Sequence, residues 1–88
     1  MVAPRKLPAE ADRTTRLAAW LCALREREGL SQEALAERIG VDQSVVSRVE
    51  HAQRRVSVPE LFAWAEALDV KWPELSAGMR DLWEPCRD

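Results

Sequence analysis

Twenty residues, 32–51, constrain this chain more than any others; they read QEALAERIGVDQSVVSRVEH. Leu35, Ala36 and Ile39 recur at the spacing of one helical face, and Gly40 ends that helix. Val41 plugs the turn, and Asp42 can cap a second helix that buries Val46 and Val49. Ala36 is small where the two helices must cross closely. With Gly40, Val46 and Val49 it stands at successive offsets of four, six and three. The pattern predicts helices over 32 to 38 or 39 and over 43–51, joined by a turn tight enough to hold them at one angle.

The second of these helices has two faces. Val46 and Val49 point inward with Val45 at the margin, whereas Ser44, Ser47, Arg48 and His51 form an outward stripe at i, i+3, i+4 and i+7, led by Gln43. A solvated surface is one reading of such a stripe. The other rests on chemistry: hydroxyls, an amide and a guanidinium match what the edges of DNA bases offer. Arg48 can bond guanine O6 and N7 together, Gln43 can pair with adenine, and Ser44 and Ser47 can donate or accept. Val45 suits a thymine methyl or the core edge equally. Two helices so joined, the second with a polar face turned away from the core, form a tool for entering the DNA major groove.

The flanks supply the remaining helices. Residues 1–11, with Pro4 and Pro8 around Arg5 and Lys6, show no periodicity and read as a flexible basic arm, either solvated or touching DNA phosphates or the minor groove. Leu17, Leu21 and Leu24 then recur at helical spacing from about 12 or 13 to 28, with Asp12 a plausible cap and Gly29 the stop. Trp20 lies beside this stripe, suited to the core edge or to a partner surface. Ser31 can cap the helix that opens the central stretch. After it, Arg54 and Arg55 are placed to clamp the DNA backbone, unless they merely decorate a surface loop. Ser57 and Glu60 form a capping box for a helix over 58–68, with Leu61, Trp64, Ala65 and Leu68 inward and Phe62 off that face. A last helix, 73–83, carries Trp72, Leu75, Met79, Leu82 and Trp83 at helical spacing, weakened by Gly78. These large apolar groups suit the core or a dimer or partner surface. An all-α bundle of about five helices follows, a single domain over 12–88.

Charge counts mildly against a nucleic-acid partner, since the chain is −2 overall. Its distribution matters more: residues 1–24 sum to +2, 25–55 to zero and 56–88 to −4. A segregated chain can face phosphate with its basic side. Cys22 and Cys86 form no CxxC and no Cys/His cluster, so reduced thiols without a metal are expected. No apolar run nears the roughly 18 residues of a membrane span, and the start lacks the apolar core of a signal peptide. The expectation is a soluble cytoplasmic, nucleoid-associated protein with no membrane partner.

The segment LREREGLSQEALAERIGVDQSVVSRVEHAQRRVSVPELFAWAEALDV resembles the lambda-repressor-like (Xre, Cro and repressor type) helix-turn-helix family, over residues from about 17 to 70. The Leu-Ser-Gln start, the Ala-Glu-Arg-Ile-Gly-Val turn, Gln-Ser-x-Val-Ser-Arg-Val-Glu and the later Ala-Leu-x-Val agree in type and spacing. The resemblance implies a bundle of about five helices that binds operator DNA, usually as a two-fold dimer. It also implies that Gln43, Ser44, Ser47 and Arg48 face bases, and that Gln32 binds phosphate and braces Gln43. Arg25 and Glu50 would tie the first helix to the end of the reading helix. Two positions depart from the pattern. Asp42 stands where Ser or Thr is usual, so its charge either weakens binding or favours a cytosine amino group. Ala52 stands where Gly is common after the reading helix.

One histidine, no nucleophile–base set, no phosphate-cradling glycine loop and no metal spacing argue against an enzyme or a cofactor. The reading is a sequence-specific regulator of double-stranded operator DNA, a repressor or autoregulator acting as a homodimer. The rival is an antitoxin-type or adaptor module whose acidic, Trp-rich last third binds a protein partner.

Overall fold

Five helices make up residues 10–83, the part of the chain that the computed structural model describes: α1 (Glu10–Arg27), α2 (Gln32–Ile39), α3 (Gln43–Glu50), α4 (Val58–Ala67) and α5 (Trp72–Trp83). Arg5, Lys6 and most of the expected arm lie outside those residues, as do Pro85 and Cys86. α1 is already helical at Glu10. Asp12 is therefore inside its first turn and not its cap, though a carboxylate there still suits the positive helix end.

The first four helices close alike. A backbone N–H bonds the carbonyl five residues earlier: Leu30 to Arg25 (3.2 Å), Val41 to Ala36 (3.0 Å), Gln53 to Arg48 (2.8 Å) and Val70 to Ala65 (2.8 Å). Such a closure places a left-handed residue just before the bonding N–H. Those residues are Gly29, Gly40, Ala52 and Asp69, at φ 69°, 84°, 57° and 55°. Only the two glycines hold that conformation without a Cβ crowding the carbonyl; an L-residue there costs about 1–2 kcal/mol. The helix starts are better served. Ser31 accepts from the Ala34 N–H at 3.0 Å. The Ser57–Glu60 capping box is complete, at 3.0 and 3.2 Å. Asp42 differs from expectation: its backbone sits at the N-cap of α3, yet its side chain makes no capping bond.

α3 packs on α1 and α2, α4 on α2, and α5 on α1. Leu21, Leu35, Val46, Val49, Trp64 and Leu68 are the innermost side chains, so every one of the first four helices gives at least one group to the same core. Ala36 is buried where α2 meets α3, which is what its small size permits. Phe62 is exposed, off the inward face of α4. Trp20 packs on the core, and its ring lies on the backbone of α5 at Gly78. A Cβ there would sit 2.6 Å from the Trp20 Cε2 and Cη2 atoms. The glycine that weakens α5 as a helix is therefore what lets α5 approach α1.

Arg27 adds an exposed bidentate pair to Glu74 across the same two helices, at 2.5 and 3.1 Å. Arg13 donates to the Trp83 carbonyl (3.3 Å), and Arg16 to those of Asp81 and Leu82 (3.4 Å each). Cations at a helix C-terminus meet its negative end. No described helix is long and apolar enough to cross a membrane.

Candidate nucleic-acid interface

α3 presents its polar stripe because Val46 and Val49 pin the opposite face into the core. Gln43, Ser44 and Arg48 are exposed on that stripe, Ser47 is half-buried, and Val45 is half-buried at the margin. The Arg48 guanidinium makes no hydrogen bond or ion pair with any described residue, so its five donors stay available. His51 turns back on its own helix, with Nδ1 2.7 Å from the Ser47 carbonyl. A carbonyl only accepts, so Nδ1 carries the proton in this contact.

The frame beneath the stripe is polar and half-buried. Arg25 on α1 grips Glu50, the last residue of α3, through Nε (2.6 Å) and Nη2 (3.0 Å), and spends Nη1 on the Leu30 carbonyl (2.6 Å). Glu50 is 3% exposed in its side chain. Burial pushes its carboxyl up, but hydrogen bonds from Arg25 and Gln32 outweigh this and leave it below the usual carboxylate range. The ion pair implied by resemblance is present and ties α1 to α3. Gln32 continues the frame: Nε2 donates to Glu50 Oε1 at 3.0 Å, and Oε1 accepts from Gln43 Nε2 at 3.3 Å. Gln32 thus braces Gln43, as the resemblance implies. That the same Gln32 is also bonded to Glu50, joining the two pairs into one chain, has no signal in spacing or composition.

Cys22 lies against this frame, 3.8 Å from Arg25 Nη2 and 3.4 Å from Glu26 Oε1. Burial first, then the Glu26 hydrogen bond, push the thiol upward and hold it protonated.

Beyond α3 lie the two expected backbone clamps. Arg54 is drawn 2.7 Å from Glu60 Oε2, and also donates to the Arg55 carbonyl at 3.2 Å. Arg55 is exposed. The Ser57 N–H and the Arg54 guanidinium together lower Glu60 to about 2. Arg13 and Arg16, counted from sequence as part of a basic first third, are directed to the end of α5, where Arg13 also lies 5.9 Å from the centroid of the Trp83 ring.

The apolar set of the last helix divides as well. Trp72 and Trp83 are 64% and 75% exposed, Leu82 is half-buried, and Met79 packs against the core. Leu75 does not belong to a partner surface: it is 5% exposed, inside the chain's own core. Helical spacing marks an apolar stripe but not which part of it the neighbouring helices cover. Among the described residues no group of His, Cys, Asp or Glu is arranged to hold a metal.

The model of the helix-turn-helix family matches residues 23–75, more than half of the chain and all of α2, α3 and α4. Among solved structures, the restriction-modification controller protein C.AhdI from Aeromonas hydrophila is 41% identical with a TM-score of 0.67, over 73% of this chain and 97% of its own. A hypothetical transcription factor, NHTF, from Neisseria is 34% identical with a TM-score of 0.67, over 84% and 85%. The controller protein C.Esp1396I, solved as a tetramer with its natural 35 base-pair operator, shares the fold at a TM-score of 0.70 and 18% identity, over 82% and 96%. No curated protein matches the chain. The matched span, the α2–turn–α3 geometry and the Arg25–Glu50 tie agree: the chain belongs to the lambda-repressor-like (Xre) helix-turn-helix family.

Proposed function

We propose that this chain is a sequence-specific regulator of double-stranded DNA that reads operator bases in the major groove with α3. The observation that carries the reading is the outward face of α3, where Gln43, Ser44 and Arg48 stand exposed on a helix clamped from beneath by Arg25, Glu50 and Gln32. Base readout needs side chains free to bond and a backbone that does not move. Arg48 meets the first condition and the packed valines the second. Ser47 joins the base-reading set, with Gln32, Arg55 and Arg54 toward phosphate. Arg5 and Lys6 belong to an arm that adds charge to the same contact.

The regulator acts as a homodimer seated through α5, with Trp72 and Trp83, Leu82 and the edge of Met79 as the seam. Large exposed aromatics on a small domain support this surface. Each copy would then read one half-site, with centres about one helical turn apart. The controller protein C.Esp1396I is solved with its natural operator, and operator binding of that kind fits a repressor or autoregulator here. This reading needs no cofactor and no chemistry, and places the protein with cytoplasmic DNA.

Selection of bound sites from a random duplex pool tests it. Wild-type protein should recover a two-fold symmetric consensus, and Arg48→Ala should relax one base pair per half-site at a cost of about 1–3 kcal/mol in discrimination. Recovery of no consensus, or an unchanged base profile in Arg48→Ala, would sink α3 as the reader. Sedimentation at rising concentration, with Trp72→Glu as the comparison, checks the seam; a strictly monomeric wild type, free and on DNA, would remove it.

A further inference from the structure

The chain Arg25–Glu50–Gln32–Gln43 runs from the half-buried interior to the reading face, and its direction is forced at one end. A carboxylate can only accept hydrogen bonds. Glu50 Oε1 accepts from Arg25 Nη2 and from Gln32 Nε2, both at 3.0 Å, while Oε2 accepts from Arg25 Nε at 2.6 Å. Gln32 must therefore turn its NH2 toward Glu50, which leaves its oxygen toward α3. That oxygen accepts from Gln43 Nε2 at 3.3 Å. Gln43 in turn keeps its carbonyl oxygen and its second N–H for other partners.

We infer that Glu50 is a positioning residue for base reading: acting through Gln32, it sets which way round the Gln43 amide faces the groove. The inference rests on the reading of α3 given above. With its polarity set, Gln43 offers an acceptor and a donor in a fixed order. Adenine presents the complementary pair, the N6 amino group and N7, whereas guanine presents two acceptors, O6 and N7. An amide free to turn over could put N–H toward guanine O6 and would lose the distinction. Arg25 contributes by keeping Glu50 charged, since a protonated carboxyl could donate and release the direction of the whole chain.

Two substitutions separate this role from simple support of the fold. Gln32→Met keeps the length of the side chain and removes both of its bonds, while leaving the Arg25–Glu50 pair intact. Glu50→Gln keeps the shape but lets the group donate as well as accept. Sites are selected from a random duplex pool with wild type, Gln43→Ala, Arg48→Ala and both variants. Gln43→Ala identifies the base pair that Gln43 reads. At that base pair the preference for adenine over guanine should fall by about five-fold or more in Gln32→Met and in Glu50→Gln, near the lower end of what one bidentate contact contributes. The preference at the Arg48 position should stay at its wild-type level in both.

A merely structural role would weaken all sequences together and leave the ratio unchanged. If Gln32→Met keeps the wild-type adenine preference, or if Gln43→Ala relaxes no position, the polarity relay is overturned while Arg48→Ala still reports on the reading of α3. If wild type selects no consensus, that underlying reading fails and the relay goes with it.

Discussion

Gly78→Ala sets two opposing effects against each other, and the contact between α1 and α5 decides the sign. In an isolated helix, alanine in place of glycine gains about 0.8–1 kcal/mol. In this fold the added methyl would stand 2.6 Å from two atoms of the Trp20 indole. No real Cβ contact is that short, and a rigid ring packed on the core has no flexible end to move aside. Overpacking of this kind costs about 1–3 kcal/mol. Here the upper half applies, because the ring must slide off α5 or α5 must lift from α1. The net expectation is a loss of about 1–2 kcal/mol. For a domain of this size that lowers Tm by about 4–8 °C per kcal/mol.

Urea unfolding followed by circular dichroism measures the loss without relying on tryptophan emission. The same substitution in a Trp20→Ala background should instead stabilise, by the full propensity gain, because the obstacle is gone. A coupling of about 2–3 kcal/mol between the sites is then expected, well above the few tenths seen for independent sites. If Gly78→Ala stabilises both backgrounds equally, Trp20 does not lie on α5, and the proposed orientation of the Trp72 and Trp83 surface loses its anchor.

Three further outcomes follow from particular contacts. Ala52→Gly relieves a left-handed alanine at φ 57°. Removing about 1–2 kcal/mol of strain outweighs the 0.4–1 kcal/mol of extra unfolded-state entropy, so denaturant unfolding should show a modest gain; a loss would contradict the closure of α3. Glu60 has its carboxyl lowered from 4.5 to about 2, so its stabilising bonds are fully present above pH 4.5 and are lost as pH falls toward 2. Glu60→Gln should therefore flatten the fall of Tm across that window, and an unchanged acid profile would argue against the capping box. Arg55→Ala should reduce the slope of log affinity against log salt by about 0.9, the value of one phosphate contact. Arg54→Ala should reduce it too, once DNA draws that guanidinium from Glu60, 2.7 Å away; an unchanged slope in both variants would remove the backbone clamp.

Most of the element plan was legible in the chain itself, because local effects carry it. Apolar spacing reports which residues share a helical face, and Ser31, Ser57, Gly29 and Gly40 act within a few residues of the helix ends they serve. The starts and stops of α2, α3 and α4 therefore follow from short-range chemistry to within a residue or so. The exposed polar face of α3 was legible for the same reason, since Gln43, Ser44 and Arg48 are placed outward by the burial of Val46 and Val49.

Local rules fall short where a residue adopts a conformation that another type favours. Ala52 and Asp69 hold left-handed positions without being glycine, and Asp42 occupies an N-cap without capping. The helix closures are satisfied by backbone bonds that the packed helices hold in place, so tertiary contact overrides the side-chain preference.

What only the tertiary structure decided are the meetings of residues far apart in the chain. Gly78 reads as a defect until Trp20, on another helix, is laid across it. Leu75 and Trp83 share one stripe, yet one is core and the other surface, because α1 covers only part of α5. Arg13 and Arg16 look like charge for DNA until the end of α5 arrives to accept their hydrogen bonds. Charge and hydrophobicity belong to a residue and can be read from its name. Partnership depends on the three-dimensional path of the rest of the chain, which for Glu50, Gln32 and Gln43 turns three separately legible side chains into one directed chain of hydrogen bonds.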